Sequence, residues 1–84
     1  MTNSSLIDNE RPAIAILGGA GKQGSGLALR WANAGHPVIV GSRSPERARE
    51  AAARLNERLG RSLVRGAGNR TAAREAEIIV LTVP

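Results

Sequence analysis

Residues 14–24 read Ile-Ala-Ile-Leu-Gly-Gly-Ala-Gly-Lys-Gln-Gly, and this stretch decides the fold. The apolar run over residues 13–17 is typical of a parallel strand that is buried on both faces. Three glycines follow at the spacing Gly19-x-Gly21-x-x-Gly24, and a helical pattern opens directly after them. A strand, a glycine turn of this spacing and a helix together predict the diphosphate-binding turn of a dinucleotide-binding fold.

In such a turn the first glycine permits a tight bend, the second lets the backbone approach the diphosphate, and the third lets the helix pack closely. Backbone N–H groups and the helix N-terminus then face the diphosphate. The motif predicts cofactor contacts from Gly19, Gly21, Lys22, Gln23 and Gly24. Two roles stay open for the Lys22 side chain, a phosphate contact and simple exposure to solvent. A glycine-rich turn that binds no ligand is the alternative for the motif as a whole.

The rest of the chain alternates between strand and helix patterns. The predicted strands are 13–17, 38–40, 63–64 and 78–83, and the predicted helices are 22–34, 45–59 and 71–76. With right-handed crossovers, this order predicts an α/β fold of the Rossmann type, with a parallel sheet in the order 3-2-1-4 and three αβα layers. The sheet accounts for the first half of a doubly wound fold and one more strand. We therefore expect residues 13–84 to be a truncated, partial dinucleotide-binding domain that follows a disordered tail over residues 1–12.

Several single residues are interpreted as structural. Gly26 is expected to let the first helix pack closely on the sheet, and Trp31 to lie in the core. His36 is expected to be a turn residue on the side of the sheet away from the ligand. Residues 66–69 are predicted to form a loop, with Asn69 and Thr71 as caps of the following short helix rather than site residues.

The turn after the second strand decides which dinucleotide is expected. An NAD site needs an acidic residue at the end of that strand to bind the ribose 2′-hydroxyl. Residues 38–45 read Val-Ile-Val-Gly-Ser-Arg-Ser-Pro and contain no acid. Ser42 can donate a hydrogen bond to a 2′-phosphate, Arg43 can give two parallel ones, and Arg47 can add charge. The segment thus predicts NADP, whereas Ser44 is expected to cap the second helix.

Composition narrows the remaining classes of function. The chain has 84 residues, no cysteine and one histidine, which excludes disulfides and thiolate metal sites and makes a metal site or an acid–base dyad a poor interpretation. No apolar run approaches the ~20 residues of a membrane span, and the first ten residues do not resemble a signal peptide. We therefore expect a cytoplasmic protein with no membrane partner.

The net charge of +5 raises the question of nucleic acid binding. The arginines are spread along the chain, many alternate with glutamates, and no aromatic residues lie between them to stack on bases. The pattern favours solvated helix faces and small-molecule partners over nucleic acid.

Four stretches resemble the NADPH-dependent reductases of the deazaflavin coenzyme F420. They are Ala-Ile-Leu-Gly-Gly-Ala-Gly-Lys-Gln-Gly-Ser-Gly-Leu-Ala-Leu-Arg at 15–30, Ala-Gly-His at 34–36, Val-Gly-Ser-Arg at 40–43 and Ala-Ala-Arg-Glu-Ala-Glu-Ile-Ile-Val-Leu-Thr-Val-Pro at 72–84. The resemblance covers nearly all of 13–84, and the combination of the glycine turn with Gly-Ser-Arg is fairly specific. It implies hydride transfer between NADPH and the deazaflavin, with the nicotinamide C4 held against the deazaflavin C5 and no protein nucleophile or metal.

The resemblance also implies roles for single residues. Ala20 to Gln23 would contact the pyrophosphate, and Ser42, Arg43 and Arg47 would hold the 2′-phosphate. Thr82, Val83 and Pro84 would lie at the nicotinamide end, although Thr82 could equally serve only to fill the strand end.

Two departures from the family pattern bear on function. Many members have threonine where this chain has Ala20, so one hydroxyl contact to the cofactor is lost. Members are also much longer, and their deazaflavin pocket is built largely from the part beyond residue 84, so we expect this chain alone to be inactive. A homodimer is possible for the full-length parent. A non-catalytic NADP-binding sensor or regulatory module is the alternative function, and a basic nucleic-acid-binding module is the third.

Overall fold

The computed structural model describes residues 11–82, which form a four-stranded sheet with helices on both faces. The strands are β1 (Ile14–Leu17), β2 (Val38–Ser42), β3 (Val64–Gly68) and β4 (Ile78–Leu81). The helices are α1 (Lys22–Asn33), α2 (Pro45–Leu59) and α3 (Asn69–Glu75). All strand pairs are parallel and the spatial order is β3-β2-β1-β4, so the predicted Rossmann-type topology is confirmed.

Alternation along the strands divides the core into two layers, as the period of two requires. Ile16 and Val40 lie in the layer that α1 and α2 cover, and this layer includes Ala28 and Ala48 from the two helices. Ala15, Ile39 and Ala72 form a smaller layer under α3. Because most of the helix residues in contact with the sheet are alanines or glycines, the helices can lie close to it.

β2 and β3 are longer than the sequence predicted. β2 continues through Ser42, and β3 occupies most of the segment 66–69 that was predicted to be a loop. The register pairs Val40 with Gly66 and Ser42 with Gly68. Glycine-rich segments usually indicate turns, but here a Cβ at position 66 would collide with the α2 backbone at Ala48 and Arg49. The glycine therefore permits close approach of helix and strand, and the loop prediction was wrong.

The N-terminus of α2 and the C-terminus of α1 follow the predicted local signals. The Ser44 side chain caps α2 by accepting from the Arg47 N–H at 3.3 Å, with Pro45 at the first helical position. Beyond α1, Gly35 has φ +100° and donates to Ala32, while the His36 N–H donates to Trp31. This pair of bonds is the Schellman arrangement, for which glycine is the preferred residue.

Three expectations for α1 differ from the structure. The helix was predicted over 22–34 but ends at Asn33, and Ala34 is exposed. Trp31 is only half-buried and packs against the margin of the core. A Cβ at Gly26 would meet nothing within 4 Å, so the interpretation that this glycine allows close packing was wrong.

A side chain that the sequence did not single out fastens β3 to α2. Asn56 donates from Nδ2 to the Val64 carbonyl at 2.8 Å. Its Oδ1 accepts from the N–H groups of Leu63 at 3.1 Å and Val64 at 2.9 Å. Three hydrogen bonds from one carboxamide hold the first residue of this strand against the last turns of α2.

The two ends of the described chain make different contacts. The His36 Nδ1–H donates to the Pro12 carbonyl at 3.0 Å, which is consistent with its predicted role as a turn residue. The rest of the predicted disordered tail, residues 1–10, lies outside the described residues. At the other end, Ile78, Ile79 and Leu81 of β4 are 42%, 49% and 72% exposed, so both faces of this strand are open. No helix within residues 11–82 is long and apolar enough to cross a membrane.

Two glycine-to-alanine substitutions should have opposite effects on stability. Gly66→Ala places a methyl group against the α2 backbone, so we expect the free energy of unfolding to fall by about 1–3 kcal/mol. Gly26→Ala adds a methyl group in open space on a helix, so we expect a gain of about 0.5–1 kcal/mol. Urea unfolding of the 84-residue chain, followed by circular dichroism, measures both. Equal effects at the two positions would contradict this account of the α2–β3 contact.

Candidate dinucleotide-binding site

The turn after β1 is held in shape by a carbonyl of the neighbouring strand. The Gly41 carbonyl accepts from the N–H of Gly18 at 2.9 Å and from the N–H of Gly19 at 3.0 Å. The Gly19 N–H also lies 3.1 Å from the Ile16 carbonyl. The first two amides of the turn are therefore committed to the protein itself.

The next amides are not committed in this way. Within residues 11–82, no backbone carbonyl accepts from the N–H groups of Ala20, Gly21, Lys22 or Gln23. Gly21 is the N-cap of α1, so two of these groups belong to the first turn of the helix, where the dipole favours an anion. The Lys22 and Gln23 side chains are exposed, and Ala20 is half-buried. The turn thus presents a run of unpaired donors at the helix N-terminus, which suits a phosphate group.

The three motif glycines are required for different reasons. A Cβ at Gly19 would lie 2.7 Å from the Ile16 carbonyl oxygen, and one at Gly24 would collide with Gly19 itself. A Cβ at Gly21 would approach no protein atom closer than 4.0 Å. Gly21 also has φ −83°, which any residue adopts. The packing of the protein itself does not require glycine at this position. A group bound at the unpaired amides would require it.

Two serine side chains form successive hydrogen bonds that order the turn after β2. The Ser42 Oγ accepts from the Ser44 N–H at 3.1 Å, and the Ser44 Oγ in turn caps α2. Because Ser42 uses a lone pair in this bond, its hydroxyl proton remains available to an external acceptor. The Arg43 and Arg47 side chains are exposed, and neither forms an ion pair in the described part of the chain. Two cations and a hydroxyl therefore surround this turn.

The end of β4 is attached to the same region. The Thr82 hydroxyl donates to the Leu17 carbonyl at 3.0 Å, and the Thr82 N–H donates to the same oxygen at 3.1 Å. The Thr82 side chain would also lie 3.1 Å from a Cβ at Gly18. Its hydroxyl proton is thus committed to the protein, and only a lone pair is left for a ligand. Val83 and Pro84 lie outside the described residues.

The register brings these groups to one edge of the sheet. Leu17 pairs with Gly41 on one side and with Leu81 on the other, so the ends of β1, β2 and β4 are level. Sequence reasoning placed Gly41 in a turn and missed its carbonyl, because a backbone acceptor leaves no sequence signal. The predicted capping by Asn69 and Thr71 was wrong, since α3 has Gly68 at its N-cap and no side-chain capping bond.

Comparison with known proteins decides the family. The model of the family described as NADP oxidoreductase, coenzyme F420-dependent, matches residues 13–84. The chain belongs to this family. The coenzyme F420-dependent NADP oxidoreductase family was the one that the sequence resemblance indicated, so that prediction is confirmed.

Curated members of the family align with most of this chain. It is 53% identical over 73 residues to the F420-dependent NADP reductase of Methanothermobacter thermautotrophicus, covering 84% of this chain and 32% of that protein. It is 44% identical over 75 residues to the F420-dependent NADP reductase of Methanocaldococcus jannaschii, covering 84% and 33%. The chain thus spans about a third of the length of these relatives.

Similarity to a solved structure supports the assignment of the fold and nothing further. Quinate dehydrogenase from Corynebacterium glutamicum, in complex with NAD, superposes with a TM-score of 0.74 at 23% identity. The match covers 99% of this chain and 30% of that enzyme.

The difference between Gly21 and Gly24 can be tested by alanine substitution. Gly21→Ala should change the free energy of unfolding by no more than about 1 kcal/mol, the usual scale of an N-cap change. Gly24→Ala should cost about 1–3 kcal/mol, because its methyl group has no space. Thermal unfolding without ligand measures both effects.

The same Gly21→Ala variant should bind NADPH at least ~tenfold more weakly in a calorimetric titration, because its methyl group would occupy open space at the residue that carries one of the unpaired amides. Unchanged NADPH affinity in this variant would mean that no phosphate approaches the turn at that point.

Proposed function

We propose that residues 13–84 are the NADP(H)-binding portion of an oxidoreductase that transfers hydride between NADPH and the deazaflavin coenzyme F420. The curated relatives are named as F420-dependent NADP reductases, and this chain corresponds to about a third of their length. The activity therefore belongs to a longer protein, to which this portion contributes the cofactor site.

The glycine turn fits the diphosphate of the cofactor. Amides from Ala20 to Gln23 would donate to its oxygens, and the open space in front of Gly21 admits them without contact to a side chain. The α1 N-terminus adds a partial positive charge at the same point. Lys22 is exposed at the first helical position, from which its ammonium group can reach a phosphate.

The turn after β2 fits a 2′-phosphate better than a free ribose hydroxyl. Residues 38–45 contain no carboxylate to accept from a hydroxyl or to repel a phosphate. Ser42 has a proton to donate, Arg43 offers a planar pair of donors, and Arg47 adds positive charge one turn into α2. These groups favour NADP(H) over NAD(H).

The chemistry requires positioning rather than an acid or base from this chain. NADPH supplies the hydride when bound. The protein must hold NADPH in line with the hydride acceptor and exclude water. Thr82, at the β4 end, lies on the side of the glycine turn opposite Arg43 and would orient the nicotinamide end through a lone pair. Val83 and Pro84 would extend that contact.

The shared Gly41 carbonyl is the observation that carries the proposal. It joins the glycine turn to the strand that ends in Ser42 and leads to Arg43. The two phosphate-binding segments are therefore fixed relative to each other before a ligand binds, which lowers the entropy cost of binding.

Replacing Arg43 tests the choice of cofactor. Arg43→Ala should weaken NADPH binding ~10–100-fold, as expected for loss of charge-assisted hydrogen bonds, and should leave NADH binding unchanged. Parallel calorimetric titrations with NADPH and NADH at fixed salt concentration measure both affinities.

Arg54→Ala is the matched control, because it removes the same charge from an exposed position in the middle of α2. It should leave NADPH affinity within about twofold of the original value, since screened charges at a distance contribute little. Equal losses for NADPH and NADH in Arg43→Ala would show that this arginine does not bind the 2′-phosphate. Absence of NADPH binding by the unaltered chain would overturn the whole proposal.

A further inference from the structure

Asn69 carries a polar group that the fold itself does not use. It is the first residue of α3, but Gly68 is the N-cap and no side chain caps this helix. Its Oδ1 is buried and accepts no hydrogen bond from residues 11–82. Buried side-chain oxygens are normally satisfied. A leucine has the same branched shape and no polar atom to leave unpaired, so apolar packing alone does not account for an asparagine here.

Asn69 lies at the edge of the sheet where the candidate cofactor-binding residues are found. Ser42 and Gly68 form the last pair in the register of β2 and β3, and Arg43 and Asn69 each follow directly after this pair along the chain. Its Oδ1 would lie 2.8 Å from a Cβ at Gly41. The carboxamide therefore covers, from the α3 face, the same residue whose carbonyl holds the glycine turn.

The chemistry of a carboxamide suggests what it binds. It presents an acceptor and a donor side by side in one plane, and the amino edge of adenine presents the complementary donor and acceptor. The terminal torsion of asparagine is broad, so a rotation can turn the oxygen from Gly41 towards a ligand. A cofactor with its 2′-phosphate at Ser42 and Arg43 has its adenosine end at this part of the sheet edge.

We propose that Asn69 is a specificity-determining residue that binds the adenine base of NADP(H) through its carboxamide. The inference rests on the proposed function, because it requires the adenosine end of the cofactor to lie beside Arg43. The role differs from that of Arg43, which recognises the 2′-phosphate and not the base.

The test compares three nucleotides with two variants. Asn69→Leu should bind NADPH and NADH ~tenfold more weakly by the same factor, the scale of one or two lost hydrogen bonds. The ratio of the two affinities should stay constant, because the 2′-phosphate contacts are intact. The unaltered chain should prefer NADPH over its hypoxanthine analogue, which lacks the adenine amino group, and Asn69→Leu should lose that preference.

Stability measurements separate this role from a structural one. Asn69→Leu should not lower the unfolding temperature without ligand, because it removes an unsatisfied polar atom that lies beside Gly41, where the side chains of Leu17 and Ala72 also lie. Asn69→Ala provides a second variant with the same expected loss of base preference, should the leucine not fit. Thr71→Ala, at an exposed position of the same helix, is the control and should change neither affinity nor stability appreciably.

Each result bears on one proposal. If the unaltered chain binds NADPH and both Asn69 variants keep its affinity and its base preference, the assignment of Asn69 is overturned and the proposed function stands. A change in the NADPH-to-NADH ratio would also overturn it, since it would make Asn69 a phosphate ligand. If the unaltered chain does not bind NADPH, the proposed function itself fails.

Discussion

The geometry of the candidate site depends on one carbonyl oxygen, that of Gly41. It accepts from two successive amides of the turn after β1, at 2.9 and 3.0 Å, and so joins the two loops at the carboxyl edge of the sheet. Each such bond contributes only about 0.5–1.5 kcal/mol to stability. Its larger effect is geometric, because it commits the amides of Gly18 and Gly19 to the protein, whereas those of residues 20–23 have no backbone acceptor within residues 11–82.

Small residues make this arrangement possible in a thin domain. At position 66 the α2 backbone approaches the strand so closely that only hydrogen fits, and Ala48 lies in the core opposite it. At Gly41, Leu17, Asn69 and Ala72 occupy the volume that a side chain would need. With a single aromatic residue in the chain, the layers are held by close backbone approach rather than by large side chains. Added volume is poorly tolerated in such a core.

Much of the fold could be predicted from local sequence. The glycine turn, the Ser44-Pro45 helix start and the apolar runs have short-range physical causes, and the element order then determines the sheet order through crossover handedness. β3 was harder to predict, because its glycines favour a turn locally and only the approach of the distant α2 backbone explains the glycine at position 66. The Asn56 hydrogen bonds and the unpaired oxygen of Asn69 depend on contacts between elements, which a pattern within either element does not record.

The candidate site, too, could be predicted only in part from the sequence. The residue types at 19–24 and 42–43 indicate phosphate chemistry, since glycine spacing and the absence of an acid are visible in the sequence. The three-dimensional arrangement alone shows which amides remain unpaired. It alone also shows that the Thr82 hydroxyl donates its proton to the Leu17 carbonyl.

The pairing of β1 has a consequence for the order of events during synthesis. Ile14 pairs with Val38 on one side and with Ile78 on the other. A nascent chain can therefore join the first two strands soon after both have left the ribosome, but the opposite edge of β1 stays uncovered until nearly all of this segment has emerged. Contacts between residues so far apart in sequence form slowly. During synthesis, one edge of the apolar β1 is therefore open to aggregation until a chaperone or the last strand covers it.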